Sequence, residues 1–437
     1  MRSSWVRGAG ALLAVGALFT TSACGSGSGS KDTSHKPAGR VNLTFWGWAP
    51  GYDKSVAMFN ASHPDIHVTF QKTAGGSAGG YSKMLNAVKA GNAPCLAQVG
   101  YETLPSFAAA GALQDVGRYA NKSRDQYVDW TWKSVSVADQ VYGIPLDTGP
   151  EAMFYRADVL KKFKQPVPTT WEEFAKVAKA VHKADPSVEM ATPPGDGYDV
   201  AGLTWQAGGK WFGTEGSKWQ VNIDSPESRK VAAYWQDLLD AKVLKTTPAL
   251  DAKWMADADK GKVVAHIGAV WINTFLSQNL KGSAGKWAVA PLPQWAKGDK
   301  AGANNGGSST AVLKGCKNQE EAVEFADWFS RSKGSVENLI KNTGIYPASK
   351  DGLALPAVNA PSKFFGGQKI FDVFKEAAAD TDNTWQWGPT MAQVEADFTD
   401  GMKKAIAGDA SVTDALTTTQ DKTIEAMKAQ GLNVSKG

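Results

Sequence analysis

Residues 41–71 read VNLTFWGWAPGYDKSVAMFNASHPDIHVTFQ, and this stretch decides the fold class. Its two ends, Val41–Trp46 and Ile66–Gln71, are rich in branched and aromatic side chains, which favours β-strands. The residues between them, Tyr52–Ala61, predict a helix. A strand, a helix and a second strand in this order are typical of a parallel sheet with helices on its faces. We therefore expect an α/β protein.

The same alternation continues along the chain. It predicts a helix at Tyr81–Ala90, a strand at Leu96–Val99 and a helix at Leu104–Ala110. Thr170 and Glu173 form the pattern of a capping box, which predicts the start of a helix reaching about Lys183. Further helices are expected from Ser225, from Asn318 and from Thr390 to the end, and strands at Val263–Val270 and Lys286–Pro291.

Length and charge restrict the class of protein. The chain has 437 residues and a formal net charge of +4, with no basic block that would suit nucleic acid. About 400 residues follow the N-terminal segment, which is long for one hydrophobic core and favours two lobes. None of them forms an apolar stretch of the roughly 20 residues that a transmembrane helix needs, so we expect a soluble, monomeric body.

The N-terminus has the layout of a lipoprotein signal peptide over residues 1–23, with an apolar run from Ala9 to Phe19. The segment Thr21–Cys24 resembles a lipobox, although Thr21 stands where leucine is usual. The alternative is ordinary secretion with cleavage near Ala23. Residues 24–40 are predicted to be an acylated cysteine and a flexible linker with a reach of about 22 Å. This places the body on the extracellular face of the cytoplasmic membrane, anchored by a lipid at Cys24.

The chain is rich in tryptophan, with seventeen against ten tyrosines. Several tryptophans lie beside glycine, proline or polar turn residues: Trp46, Trp48, Trp205, Trp271, Trp385 and Trp387. An indole ring can stack on the apolar face of a pyranose, while carboxylates and amides bond its hydroxyl rim. For each one the alternative is core packing, which we expect for the helical Trp171, Trp235 and Trp328. Asp147, before Gly149 and Pro150, is either a hydroxyl acceptor or an ordinary turn aspartate.

The chain resembles the extracellular solute-binding proteins of bacterial ATP-binding-cassette (ABC) importers, specifically the carbohydrate group that includes maltodextrin-binding proteins. The resemblance runs from about Val41 to Gln430. It rests on the order and spacing of several segments: FWGW, GNAPCLAQVGYETLPSFAAAGALQDV, YGIPLDTGPEAMFYRADVLKKF, PTTWEEF, AVAPLPQW, NGGSSTAVLKGCKNQEEAVEFADWF and WQWGP.

The resemblance implies a periplasmic-binding-protein-like fold, in which two α/β lobes joined by crossing hinge segments hold the ligand in an interlobe cleft. The N-terminal lobe would comprise residues 41–146 and 291–342, and the C-terminal lobe residues 150–287 and 347–430. It implies an oligosaccharide ligand and ABC permease partners, without enzymatic activity. The sequence has no HExxH pattern, clustered cysteine-histidine set or phosphate loop, so neither a metal nor a cofactor is expected. The ligand-binding residues carried over are Trp46, Trp48, Tyr101, Glu102, Asp147, Trp205, Gln206, Trp271, Gly307 with its neighbour Gly306, and Trp387.

The resemblance also bears on Cys95 and Cys316, whose spacing alone does not decide between a disulfide and two thiols. In similar proteins the strand beginning near Cys95 lies antiparallel beside the strand ending near Cys316, which implies a disulfide. Cys95 replaces an aspartate that relatives usually carry, at the end of the strand away from the cleft.

Two enzyme classes compete with this interpretation. A lipid-anchored extracellular glycoside hydrolase would also combine aromatic platforms with carboxylates, and Glu102, Asp147 and Glu151 are its candidates. The segment Gly75–Gly79 matches the G-x-S-x-G of serine hydrolases, and of five histidines only His182 and His266 lie far enough downstream to support it. A glycine-rich loop at the cleft edge explains the motif better. The residues do not distinguish α-glucosides from cello-, xylo- or galacto-oligosaccharides.

Overall fold

The computed structural model describes residues Gly39–Gly437 as one compact unit. The predicted signal peptide, the predicted acylation site Cys24 and nearly all of the predicted linker lie outside the described residues. Over Gly39–Gly437, no helix combines the length and the apolar character needed to cross a membrane.

The strands are short except for one of 14 residues. They are β1 (Val41–Gly47), β2 (Ile66–Lys72), β3 (Leu96–Gly100), β4 (Ser136–Val137), β5 (Gln140–Val141), β6 (Gly143–Arg156), β7 (Phe212–Glu215), β8 (Lys218–Val221), β9 (Ala265–Ala269), β10 (Trp287–Ala290), β11 (Asn304–Val312), β12 (Tyr346–Pro347) and β13 (Val434–Lys436).

The α-helices alternate with these strands. They are α1 (Tyr52–Ser62), α2 (Tyr81–Lys89), α3 (Leu104–Ala109), α4 (Gly117–Ala120), α5 (Asp129–Ser134), α6 (Ala157–Lys162), α7 (Trp171–Ala184), α8 (Gly197–Gln206), α9 (Pro226–Asp240), α10 (Ala252–Asp259), α11 (Ile272–Asn279), α12 (Gln319–Arg331), α13 (Lys333–Thr343), α14 (Lys350–Leu353), α15 (Ile370–Ala379), α16 (Met391–Ala407) and α17 (Val412–Ala429). Short helical turns also occur at Gly76–Gly80, before α2, and as 3-10 segments at Asn121–Gln126, Lys281–Ser283 and Pro356–Asn359.

The main sheet confirms the α/β prediction. Its order is β10-β6-β11-β3-β1-β2, with β9 and β12 also paired to β6. Strand β1 runs parallel to β2 and β3, as strand-helix-strand units require, whereas β11 runs antiparallel to β3 and β6. In β1 the side chains alternate, so that Phe45 is buried in the core and Trp46 lies on the opposite face.

Strand β6 joins two lobes. Its first half pairs with β11 and β12, and its second half pairs with β9 and β10. We call N-lobe the part containing β1–β5, α1–α5, α12 and α13, and C-lobe the part containing α6–α11, β7–β10 and α15–α17. Helices α12 and α13 pack on α1, whereas α16 and α17 pack on α8 and α9. The two-lobe prediction is confirmed, while its exact boundaries stay a prediction.

The capping of α7 and the end of the chain differ from the sequence prediction. Thr170 accepts a hydrogen bond from the Glu173 backbone N–H, as predicted, but the Glu173 carboxylate accepts from Thr169 rather than from Thr170. The C-terminus does not end in a helix, because β13 adds to the small sheet β13-β8-β7.

Cys95 and Cys316 form the disulfide that the resemblance implied, with their Cα atoms 4.6 Å apart. The antiparallel pairing of β3 with β11 brings the two residues together. The bond therefore fastens the start of β3, and the opposite end of that strand leads into Tyr101 and Glu102.

Candidate functional site

A cavity of about 950 Å³ lies between the two lobes. This volume is near the upper end of the range for small-molecule sites. The N-lobe lines it with Tyr101, Pro105, Ala108, Ala109, Trp130, Lys133, Ser134, Ser136, Val137, Ala138 and Tyr142, and the C-lobe with Trp205, Thr214, Gly216, Trp219, Asn383, Thr384, Trp385, Gln386, Trp387, Pro389 and Leu432. Large aromatic rings thus stand on both sides of one space.

The C-lobe wall consists of tryptophans packed on one another. Trp385 stacks on Trp205 with ring centroids 4.9 Å apart and an angle of 9° between the planes. Trp387 meets Trp385 edge-on at 5.3 Å. The Trp205 Nε1 donates to the backbone carbonyl of Asp382 at 2.7 Å, which fixes that ring to the segment carrying the other two. The wall is therefore held without a ligand.

The N-lobe wall is built around Tyr101, which follows β3. Its ring meets Trp130 of α5 edge-on, with centroids 5.8 Å apart. Gly307 of β11 has φ +90°, and a Cβ there would lie 2.8 Å from Cε2 of Tyr101. Glycine is therefore required at this position both by the left-handed backbone and by the approach of the tyrosine ring.

Asp147 lies next to Gly307. Its Oδ1 accepts hydrogen bonds from the backbone N–H and the hydroxyl of Ser308, both at 2.7 Å. Burial raises the pKa of Asp147 to about 6, and the two bonds from Ser308 oppose that shift. The predicted turn interpretation is wrong, because Asp147 lies inside strand β6. Its own backbone N–H also lowers the pKa, and Oδ2 accepts no hydrogen bond from another residue within Gly39–Gly437.

Glu102 belongs to a second group of predicted residues. Its Oε1 accepts from the hydroxyl of Tyr81 at 2.7 Å, and Trp48 meets the Tyr81 ring edge-on at 5.7 Å. Burial raises the pKa of Glu102 to about 7, which the Tyr81 bond partly offsets. Tyr198 of α8 connects this group to the C-lobe wall, since it lies close enough to Glu102 for their charges to interact and its ring is 6.4 Å from Trp387.

Trp271 lies at the start of α11, immediately after β9, and keeps 39% of its surface exposed. Only Val167 is comparably exposed among the large apolar side chains of the described region. Its Nε1 lies 3.6 Å from the position that a Cβ at Gly306 would take, so it stands against the crossing strand β11. An exposed indole at this position is consistent with a stacking role.

Seven of the ten predicted ligand-binding residues are not among those lining this cavity: Trp46, Trp48, Glu102, Asp147, Gln206, Trp271 and Gly307. Two of them have their polar atoms bonded within their own lobe. Trp46 donates from Nε1 to Gln71 Oε1 at 2.7 Å, and the Lys83 ammonium lies 4.3 Å above its ring. Gln206 is buried in the C-lobe, where it accepts from Trp171 Nε1 at 3.0 Å and donates to the Pro293 carbonyl at 2.8 Å. Neither residue lines the cavity described above.

Some cavity residues were not predicted as ligand contacts. Trp130 and Trp219 carry no local signal, because the first lies in α5 and the second in β8, where core packing is the ordinary expectation. Trp385 was flagged by its polar surroundings in NTWQWGP, yet the resemblance singled out only Trp387. Trp205 was expected in a loop but occupies the last turn of α8. The core interpretation is confirmed for Trp171 and Trp235, whereas Trp328 is only half-buried.

Comparison with known proteins identifies relatives of the whole described region. The family model of the bacterial extracellular solute-binding proteins matches residues 46–335. A lactose-binding protein of Rhizobium radiobacter is 26% identical over 357 residues, which is 76% of this chain and 81% of that protein. An arabinooligosaccharide-binding protein of Halalkalibacterium halodurans is 23% identical over 81% of this chain and 82% of its own length.

Solved structures agree with this fold. The galacto-N-biose/lacto-N-biose I-binding protein of an ABC transporter from Bifidobacterium longum, in complex with lacto-N-biose, has a TM-score of 0.85 and 32% identity, covering 92% of this chain and all of that one. An ABC-transporter-associated binding protein from B. animalis subsp. lactis, in complex with β-1,6-galactobiose, has a TM-score of 0.82 and 28% identity, covering 91% of this chain and all of that one. These relatives are binding proteins, not enzymes.

Proposed function

The chain belongs to the bacterial extracellular solute-binding proteins, and from this membership we propose that it captures an oligosaccharide between its lobes and delivers it to an ABC importer. The observation that carries the proposal is the C-lobe wall of Trp205, Trp385 and Trp387 facing Tyr101 across one cavity. Stacked indole faces suit the C–H faces of sugar rings, and such surfaces need few rearrangements on binding because they are already packed.

Polar side chains suited to bonding the hydroxyl groups of a sugar lie near the aromatic rings. We propose that Asp147 accepts hydroxyl hydrogens through Oδ2, since its Oδ1 is already bonded to Ser308. Glu102 is proposed as a second acceptor next to Tyr81, and Trp48 and Trp271 as further stacking residues. Trp46 and Gln206 are hydrogen-bonded within their own lobes, which argues against direct contact of either residue with the sugar.

Three of the four relatives described above are named for galactose-containing sugars, and the fourth is named for arabinooligosaccharides. Lactose, lacto-N-biose and β-1,6-galactobiose all contain galactose, and these are the sugars named for three of the relatives. We therefore propose a galactose-containing oligosaccharide as the ligand.

Delivery requires that the protein stay near its transporter. We propose that a lipid at Cys24 and a linker with a reach of about 22 Å hold the body close to the permease, which raises its local concentration there. The ligand would favour a closed arrangement of the lobes, which the permease then binds, and ATP hydrolysis would occur in the partner subunits. Replacing Cys24 with Ser is expected to move the protein from the membrane fraction to the culture fluid, and retention at the membrane would contradict the anchor.

Titration calorimetry of the full chain against galacto-, gluco-, cello- and xylo-oligosaccharides tests the proposal. We expect heat and a change in tryptophan emission with galactose-containing sugars, and recovery of the sugar unchanged. Hydrolysis of the sugar would favour the glycoside hydrolase instead. Absence of binding by every member of the panel would reject sugar capture.

A further inference from the structure

We propose that the cavity continues into an outer subsite for a third sugar ring, formed between Trp219 on the C-lobe and the β4–β5 turn on the N-lobe. The proposal rests on the proposed function, and it defines the ligand as a trisaccharide or longer. The two solved relatives described above hold disaccharides.

The cavity extends beyond the three central tryptophans. On the C-lobe side, its lining includes Thr214 and Gly216 of the β7–β8 hairpin, Trp219 of the same hairpin, and Leu432 just before β13. On the N-lobe side, it includes Ser136, Val137 and Ala138 of the β4–β5 hairpin. Two hairpins therefore line the same cavity from opposite lobes, next to the wall of Trp385 and Trp387.

Trp219 is supported from behind. It is paired with Thr214 on one side and with Val434 on the other, so it occupies the middle strand of the small sheet. Its ring is half-buried and meets the ring of Phe212 edge-on, with centroids 6.5 Å apart. The Trp219 Nε1 has no hydrogen-bond partner among the described residues, which leaves one donor for a hydroxyl.

Phe212 links this platform to the central wall. It is almost fully buried, and a Cβ at Gly388 would lie 2.4 Å from its Cε1. Gly388 follows Trp387 directly, so the absence of a side chain there lets Phe212 pack closely behind the central wall. Trp387, Gly388, Phe212 and Trp219 thus form one continuous support from the centre of the cavity to its outer part.

The β4–β5 turn, on the N-lobe side of the proposed subsite, has an unusual backbone conformation. Ala138 and Asp139 connect β4 to β5 as a two-residue loop, with φ of 49° and 65°. Two left-handed residues are the pattern of a type I′ turn, which usually takes asparagine and glycine. Residues with a Cβ are strained there, and such strain is concentrated at binding sites. Ala138 contributes only a methyl group to the lining of the cavity that Trp219 lines from the other lobe.

The chemistry of the lining suits a neutral sugar. Hydroxyl groups of Ser134, Ser136 and Thr214 accompany the rings, and Lys133 is the single residue among those lining the cavity that carries a full charge at neutral pH. Apolar walls with a few convergent polar groups are the usual composition of such sites.

The test compares the affinities for a disaccharide and a trisaccharide of the same sugar series. Calorimetry of the full chain with the di- and trisaccharide of the best-binding sugar is expected to show about threefold to tenfold tighter binding for the trisaccharide, the effect of one added aromatic contact. The variant Trp219→Ala is expected to lose that increment and to keep its disaccharide affinity within about twofold. Trp219→Phe should recover part of the affinity gained with the trisaccharide.

The outcomes separate the two proposals. Equal affinity of the natural protein for both lengths, or equal loss of both affinities in Trp219→Ala, overturns the outer subsite and leaves sugar capture intact. An increment that persists in Trp219→Ala overturns it as well. Absence of binding by any sugar overturns the proposed function and the subsite together. Unchanged disaccharide affinity in the variant also shows that it has folded.

Discussion

The two walls of the cavity hold their aromatic rings in different ways. On the C-lobe, Trp205, Trp385 and Trp387 support one another, and the Trp205 Nε1 is bonded to the backbone of the lobe itself. On the N-lobe, Tyr101 depends on the missing side chain of Gly307 and stands close to Asp147. The C-lobe therefore supplies apolar area, and the N-lobe with the crossing strand supplies hydrogen-bond acceptors.

This division has an energetic consequence. Stacking contributes through buried area and dispersion, which change little with pH, whereas a partly buried carboxylate accepts hydrogen bonds most strongly while it is ionised. Substitutions on the two walls should therefore weaken binding by different amounts and with a different pH dependence.

The largest effect is expected on the C-lobe wall. Trp385→Ala removes a stacked face and leaves Trp205 without its partner, which should cost about 2 kcal/mol of binding free energy, or about thirtyfold in affinity. Calorimetry with the best-binding sugar measures this loss of affinity. Trp328→Ala is the matched control, because this half-buried tryptophan of α12 lies outside the cavity, and its affinity should stay within about twofold. A loss below threefold in Trp385→Ala would mean that the wall does not stack on the ligand.

A smaller effect with a clear pH dependence is expected at Asp147. Since burial raises its pKa to about 6, the carboxylate is ionised above that pH and accepts hydroxyl hydrogens most strongly there. The affinity of the natural protein should therefore fall as pH drops through 6. Asp147→Asn should bind about tenfold more weakly at pH 7.5, as expected for loss of a charge-assisted bond.

The asparagine also provides the control for this titration. It can still accept from Ser308, but it does not titrate, so the fall in affinity near pH 6 should be absent from the variant. Any fall that remains should be centred near pH 7, where Glu102 titrates. If the natural protein showed the same profile as the variant, Asp147 would not be a ligand contact.

The smallest effect on binding is expected from carboxyl groups behind the C-lobe wall. Burial, followed by the charge of Asp196, raises the pKa of Glu395 to about 8. Asp199 and Glu151 are shifted upward for the same reasons. Since the folded pKa lies above the unfolded value, the folded state binds more protons, and stability falls as pH rises from about 4.5 to 8.

Glu395→Gln removes one of these ionisations while its amide oxygen can still accept from the Gly197 N–H. The free energy of unfolding should rise by on the order of a few kcal/mol at pH 8.5 and stay unchanged near pH 4.5, measured by urea denaturation. The control Glu376→Gln, at an exposed site, should leave the free energy of unfolding unchanged at both pH values. Ligand affinity should remain within about twofold, and a large loss would assign Glu395 to the binding site rather than to its support.

The order of strands and helices could be predicted because it depends on local patterns. The alternation in β1 and the branched residues of β2 act within a few positions, and both strands were found within one residue of the prediction. Short elements such as β4, β5 and β7 were not predicted, since two to four residues carry too little periodicity. The final strand β13 was missed because it exists only by pairing with β8.

The site was predicted unevenly for a related reason. Tyr101, Trp205 and Trp387 line the cavity, and sequence reasoning had named them, partly through the resemblance. Gln206 was expected at the cleft, yet it follows Trp205 directly and points the other way, since neighbouring residues of a helix lie about 100° apart. Trp130 and Trp219 look like core residues from their neighbours alone.

The sequence by itself determined the α/β class, the two-lobe size and the supply of aromatic residues, because composition and periodicity are properties of short stretches. Only the tertiary structure decided which rings share a cavity. Trp130 and Trp219 are distant in the chain, and β6 with the pairings around it brings the lobes that carry them to one space. Which face of a ring remains open depends on contacts made across that space, and no local pattern records those contacts.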